Sequence, residues 1–477
     1  MQNRFRENII FSSIYQIVTV ITPLITSPFI SRVLGSAGYG DYNYTLAFAN
    51  FFFLFAMLGV NNYGNRSIAS VRSDRHALSK TFWEIYSLQV ISASVCILLY
   101  VSFCFVYPSA SIRKLFILQG VVVAAAFTDI NWFAFGLEKF KFTTIRNLIV
   151  KILTLIAIFV FIRTERDTWI YILIIEVGTV GGLFAVWSLV RRETDFVKPN
   201  LKDILKHLKP NFLLFIPVLA TSVYQSTDKI MLGIFIDNTV VGFYSYAESI
   251  LNVPLGLITA ICTVSMPRIT NLLSQDKGAE AKELLDRSLF FTTVLEIALV
   301  FGLAATANRF IPLYLGDEYV ETAKLLVVLS SIVLLSGLAN VIRMMLLIPR
   351  ANDKLYVMSV IIGAVANIIG NFALMPNLGV IGACISTILA YLLVLIVQMI
   401  GSRKDVKYPK FLLSIVPFVL LGAMMYFTVS FIDKNLVLND WILIVLEIVV
   451  GVLFYGAGTA VMMFVYGKVL KKIPLKY

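Results

Sequence analysis

MQNRFRENIIFSSIYQIVTVITPLITSPFISRVLGSAGYGDYNY, residues 1–44, decides the class of fold. Arg4 and Arg6 come first, and Ile9 to Ile30 follow as 22 residues without a charged side chain. A signal peptide's apolar region is about 7–15 residues long and ends at a small-x-small cleavage site. This run is longer and has no such site. About 20 apolar residues cross the roughly 30 Å hydrocarbon core of a bilayer as a helix. The segment is therefore expected to be a first membrane helix whose basic start stays on the near side.

The rest of the chain repeats that pattern. Of 477 residues, 59% are hydrophobic and 14% charged, where soluble globular chains have about 25% charged residues. The apolar residues come in long runs rather than in period-2 or amphipathic stripes. In lipid each segment must satisfy its own backbone, so these runs are expected to be helices and not isolated strands. Runs and breaks give about fourteen, centred near Val20, Phe52, Ala93, Val123, Thr154, Val177, Val223, Asn252, Ala298, Leu334, Gly363, Ala390, Leu421 and Val452. The fold class expected is an all-α polytopic membrane protein.

Charge fixes the expected orientation. With the N-terminus in the cytoplasm and the helices alternating, 31 of the 40 Lys and Arg fall at inner ends and loops, and nine outside. That asymmetry is the positive-inside pattern, and it places both termini in the cytoplasm. The net charge of +12 is then topology, and nucleic acid is not an expected partner. Cys96, Cys104, Cys262 and Cys384 all sit in apolar runs and read as buried hydrophobes. His76 and His207 sit in basic loops, so neither a Ser-His-Asp site nor a histidine zinc site is expected inside the membrane. No GxxxxGK[ST] motif occurs, so ATP is not an expected internal driver and no cofactor is implied.

Two halves echo each other. Leu34-Gly35 and Gly40-x-Tyr42-x-Tyr44 at the end of the first helix recur as Leu232-Gly233 and Gly242-x-Tyr244-x-Tyr246 at the end of the seventh. An even number of helices lies between them, so the repeat is parallel. Tight turns with interfacial tyrosines are the blander explanation. The expected division is a six-helix lobe over 1–190, a cytoplasmic linker over 191–210, a second six-helix lobe over 211–400, and helices thirteen and fourteen with a basic tail over 401–477. Leu201, Ile204, Leu205 and Leu208 give the linker an apolar stripe suited to a membrane surface.

SRVLGSAGYGDYNY (31–44), NNYGNRSIA (61–69), DINWFAFGLEKFKFTTIRN (129–147), YQSTDKIMLG (224–233) and LGVIGACIST (378–387) together resemble the polysaccharide flippases of the multidrug/oligosaccharidyl-lipid/polysaccharide exporter superfamily. The resemblance implies twelve to fourteen helices in two pseudo-symmetric bundles around a central cavity. It also implies export of undecaprenyl-diphosphate-linked oligosaccharide repeat units across a bacterial cytoplasmic membrane, beside a polysaccharide polymerase and other assembly proteins.

Such a task needs cations for a diphosphate, and Arg forks suit phosphate oxygens. Arg32 and Lys229, near the outer ends of helices one and seven, are candidate substrate-binding residues, with Arg66, Arg146, Arg268 and Arg343 nearer the inner ends. Snorkelling to the headgroups is the alternative for each. Carboxylates within spans are Asp129, Glu176, Asp228, Glu248, Glu296 and Glu447, and they could take a proton or Na⁺. Glu248, Asp228 and Asp129 are the coupling-ion candidates. Asp228 could instead pair with Lys229, and Asp129 could pair with Arg146 or cap a helix break. Tyr15, Tyr42, Tyr44, Tyr224, Tyr244 and Tyr246 could stack on sugars, although the last four fit an interfacial belt.

Pro23, Pro28, Pro217, Pro254 and Pro267 would kink helices one, seven and eight. A negative interior favours outward movement of an anionic headgroup by about 2.3 kcal/mol per charge per 100 mV. A multidrug antiporter and a peptidoglycan-precursor flippase are the rivals within the superfamily. A membrane glycosyltransferase or polysaccharide polymerase is the rival outside it, disfavoured by short outer loops.

Overall fold

The structure, a computed structural model, describes residues 2–436 and 438–470, and only the backbone of 2–17, 19, 20, 224, 225 and 465–470. Among the described residues there are helices and no strand. They are α1 (Gln2–Met57), α2 (Val60–Val71), α3 (Arg75–Val106), α4 (Ala110–Ala124), α5 (Asn131–Gly136), α6 (Phe140–Phe161), α7 (Thr168–Glu193), α8 (Leu201–Leu205) and α9 (Leu208–Phe235). Then come α10 (Asn238–Ser274), α11 (Gly278–Leu315), α12 (Val320–Leu329), α13 (Ser331–Ile342), α14 (Asp353–Leu378), α15 (Val380–Gly401), α16 (Tyr408–Asn435) and α17 (Asp440–Leu470).

Eleven described stretches are long and apolar enough to cross a membrane, and the bent pair Asp317–Leu329 with Ser331–Leu347 makes a twelfth. The first stretch, Ile21–Val71, has 51 residues. Straight, it would reach about 76 Å at 1.5 Å per residue, more than twice the hydrocarbon core. It does not run straight. Gly35 adopts φ 67° and ψ 178°, which breaks α1 into two limbs; a residue with a Cβ rarely takes that conformation. With both limbs and the 28-residue α9 counted separately, the long helices come to about fourteen, in line with the expected number.

Two compact units can be described separately. One comprises Met1–Ser245 and Asn367–Ala383, and the other Tyr246–Ala366 and Cys384–Tyr477. In the first, α1 is the hub, packing on α3, α4, α6, α7 and α9. Its core joins Ile30, Leu34 and Tyr42 to Ile158, Tyr171 and Ile172. Water exclusion does not drive helix association inside a bilayer, so close van der Waals packing must. Trp132 shows how. It is fully buried against Gly64, and its Nε1 donates to Gln89 Oε1 at 2.9 Å. Gln89 Nε2 in turn donates to the carbonyls of Ala126 (2.6 Å) and Asp129 (2.9 Å), where the chain leaves helical geometry between α4 and α5.

In the second unit α11 is the hub, packing on α12, α13, α16 and α17. Arg309 of α11 ties the last two helices down through Asp433 (2.5 Å) and Asp440 (2.5 Å). Between α7 and α9, α8 buries Ile204 and exposes Leu201 and Leu205. The four cysteines are buried and, among the described residues, form no disulfide.

The tyrosine expectation needs correction. Tyr44, Tyr244 and Tyr246 are 1–2% exposed, inside the protein and not in an interfacial belt. Tyr42 is also buried. The side chains of Tyr15 and Tyr224 lie outside the described residues. Each GxYxY motif follows a helix break that turns its rings inward.

Candidate functional site

The site is built from the two halves of the repeat, within the first unit. Its steric centre is a pair of glycines. A Cβ on Gly40 would lie 1.7 Å from the carbonyl oxygen of Asn238, and one on Gly242 would lie 2.2 Å from the carbonyl oxygen of Ser36. The two backbones therefore touch where any other residue would separate them. Asn238 Nδ2 donates to Asp41 Oδ1 at 2.6 Å beside the contact. The ring of Tyr44 fills the space that a side chain at Gly233 would need.

Next to Lys229, about two turns before the end of α9, lies a buried carboxylate. Asp228 is 1% exposed. Its Oδ2 accepts from Tyr244 Oη at 2.9 Å, and its Oδ1 from Asn367 Nδ2 at 3.0 Å and Asn371 Nδ2 at 2.5 Å. The two asparagines are four apart on α14 and so share a helix face. Asn371 is fully buried, and its own Oδ1 has no hydrogen-bond donor. Carboxylate and amide oxygens are hard oxygen ligands, the kind that suit a small hard cation; the carboxylate alone could instead take a proton.

The two repeats also place their second tyrosines alike. Tyr44 Oη is 3.3 Å from Tyr107 Oη, at the end of α3. The ring of Tyr246 meets that of Tyr319 edge-on at 5.1 Å, just after α11. Helices α3 and α11 are the third and ninth crossings, which correspond under the repeat.

The other candidates are distributed. Arg343 opens a π-helical turn, Arg343–Leu347. Its Nη2 donates to Asn340 Oδ1 at 2.5 Å, and its guanidinium lies 5.5 Å from the Tyr356 ring centroid. Turns of this kind are frequent at functional sites. Arg146 is half-buried and donates to Asn147 Oδ1 from Nε (3.0 Å) and Nη2 (2.5 Å). Lys229 and Glu248 are half-buried. Arg32 is exposed and donates from Nη1 to the carbonyl of Pro28 at 2.9 Å; Arg66 and Arg268 are exposed. Asp129 Oδ1 accepts from the backbone N–H (3.0 Å) and Nδ2 (2.7 Å) of Asn131, capping α5. Glu296 is fully buried beside Gly337, with neither oxygen hydrogen-bonded.

Sequence reasoning missed a second polar cluster. His207, at the start of α9, is buried rather than exposed in a loop. Its Nδ1 is 2.7 Å from Tyr63 Oη and its Nε2 is 2.9 Å from Glu84 Oε2. Lys206 Nζ reaches Glu84 at 2.8 Å, and that hydrogen bond pushes the Lys206 amine above its ordinary value.

A family model described as polysaccharide biosynthesis protein matches residues 5–273, which include α1 to α9 and the whole Asp228–Tyr244 side of the site. The chain belongs to that family. An Escherichia coli (strain K12) protein named as an O-antigen transporter is 23% identical over 84% of this chain and 97% of its own length. The fold is similar to that of the lipid II flippase MurJ in an inward closed conformation, with a TM-score of 0.78, 16% identity, and coverage of 95% of this chain and 99% of that one. It is also similar to an inward-facing multidrug resistance MATE transporter of the MOP superfamily, with a TM-score of 0.58, 16% identity, and coverage of 82% and 99%. The chain is thus a polysaccharide biosynthesis family member with the fold of these multi-pass membrane proteins.

Proposed function

We propose that this family member flips undecaprenyl-diphosphate-linked oligosaccharide repeat units from the inner to the outer leaflet of a bacterial cytoplasmic membrane. It does so by alternating access of two lobes, 1–190 and 211–400, joined by the 191–210 linker, with both termini cytoplasmic. Entry of H⁺ or Na⁺ drives the cycle. The protein performs no bond-making chemistry, and a polysaccharide polymerase consumes what it delivers.

The observation that carries this reading is the Asp228 cluster. A carboxylate held at membrane depth by Tyr244, Asn367 and Asn371, beside an open amide oxygen, has the chemistry of a coupling-ion site. Ionisable side chains at that depth are expensive unless they serve ions or substrate. Arg343 and Arg146, half-buried and already oriented by asparagines, are the forks placed for a diphosphate, with Arg32, Lys229, Arg66 and Arg268 as cations met on entry or exit. Glu248 and Asp129 rank behind Asp228 for the coupling ion, since Asp129 already caps a helix.

The test is reconstitution with a fluorescent undecaprenyl-diphosphate oligosaccharide, following its leaflet with and without H⁺ and Na⁺ gradients. Protein-dependent movement, sped by one gradient, is expected. Export of cationic dyes with no lipid movement would overturn the reading. The similarity in fold to a lipid II flippase supports a second reading, a peptidoglycan-precursor substrate, which the same assay separates by headgroup.

A further inference from the structure

α6 and α7 enclose an apolar groove of about 830 Å³ within the first unit. The seam between the helices is tight at two points and open between them. A Cβ on Gly178 would lie 2.7 Å from Thr154 Oγ1, and one on Gly182 2.9 Å from Val150 Cγ2. Gly181 has nothing within 4 Å and faces the open groove. Ile149 and Leu153 of α6 and Val177 of α7 form the walls, and all three are exposed. The groove follows α6 from Phe142 to Phe161, about 29 Å at 1.5 Å per residue.

Its polarity is one-sided. Arg146 lines the first third, next to the α6 end that carries Lys139 and Lys141, and the remaining lining is apolar apart from Thr154. A ligand matched to this surface has an anionic head and a long tail with no polar group. Length separates the two lipids that have that form. A phospholipid acyl chain covers one leaflet, roughly half of the 30 Å core. The groove runs nearly the full depth without interruption. Its depth suits a chain longer than one leaflet, as the eleven isoprene units of an undecaprenyl tail provide.

We propose that the α6–α7 groove holds the polyprenyl tail of the lipid-linked substrate, with the diphosphate end at Arg146. This rests on the flippase reading. It adds a fixed track for the tail, so that only the head crosses through the protein while the chain stays in contact with lipid.

Gly181→Phe tests it, because the ring enters open space and leaves the seam intact. Wild type and variant are reconstituted with two substrates sharing one oligosaccharide-diphosphate head, one on an undecaprenyl tail and one on a geranyl tail. A diazirine-bearing undecaprenyl diphosphate is photolysed in the same vesicles. Gly181→Phe should slow the long-tailed substrate by about tenfold relative to the short-tailed one, and should remove photolabel from the Ile149 and Val177 peptides. Equal slowing of both substrates, or label confined to other helices in the wild type, would overturn the groove assignment while wild-type flipping still stood. Absence of flipping by the wild type would sink the flippase reading instead, and the photolabel pattern against excess phospholipid would still show whether the groove prefers the polyprenyl chain.

Discussion

Asp228 accepts hydrogen bonds from three side chains, and that bears on what its substitutions do. Asp228→Asn keeps the shape but removes the charge that a cation needs. It should insert normally and lose gradient-dependent flipping. Asp228→Ala removes the acceptor as well and strands donors on Tyr244, Asn367 and Asn371. A buried donor left unmade costs about 1–3 kcal/mol, so the alanine variant should melt clearly below the asparagine variant in detergent. Equal melting temperatures would mean that the donors find other acceptors. Asp228 itself was legible, since an acid in an apolar run stands out. Its asparagines were not weighed, although two amides four apart in a charge-free run are a signal of the same kind. His207 was beyond reach: its partner Glu84 is 123 residues distant, and a basic linker sequence around it says exposed. His207→Ala should lower stability by about 1–3 kcal/mol through its two lost bonds, measured by the same melting. A wild-type melting curve would return His207 to the loop that its sequence suggests.

Among elements, the long apolar runs set the helix count, and the breaks within them did not show. Leu58 and Gly59 both take positive φ, 43° and 82°, where α1 gives way to α2. Nothing in FAMLGVNNYG marks a stop stronger than a single glycine. The reason lies across the interface. Gly59 packs against the start of α9, where a Cβ would stand 3.0 Å from the carbonyl oxygen of Asn211 and from the backbone of Phe215. Left-handed geometry costs a residue with a Cβ about 1–2 kcal/mol, and the close backbone adds to it. Gly59→Ala should therefore destabilise by at least that much in a thermal melt. Gly302→Ala is the matched control. It sits inside α11 with nothing within 4 Å and no positive φ, so helix propensity should leave it neutral or more stable by up to about 1 kcal/mol. Similar melting of the two variants would remove the packed break as the explanation. The α4–α5 break is of the same type. The string from Asp129 to Trp132 that carries the family resemblance is there a cap and a buried anchor, so folding at that point is enough to account for its sequence specificity.

For the molecule as a transporter, the Gly40–Gly242 contact is the feature with the largest consequence. On the proposed orientation it closes the path at the outer side, where both repeats end. In the proposed alternating-access cycle, closure there would come apart each time, and glycine on both sides allows the backbones to meet without side chains to withdraw. Gly40→Val cannot coexist with the contact, because its Cβ falls on the Asn238 carbonyl, which no rotamer change relieves. Moving a two-state balance from 1:99 to 99:1 takes about 5.5 kcal/mol, less than a backbone overlap of that depth imposes. The variant should rest open to the outside and flip poorly. A cysteine placed at Ser245, 2% exposed, reports the state, since the four native thiols are buried. A membrane-impermeant maleimide should label it slowly in the wild-type background and quickly with Gly40→Val. Asn238→Asp approaches the same end gently, setting a second carboxylate against Asp41 in place of their 2.6 Å hydrogen bond, and it keeps the test open where the valine variant fails to fold. Labelling as slow as wild type in both variants, with flipping preserved, would show that the paired glycines are static packing and that the gate lies elsewhere.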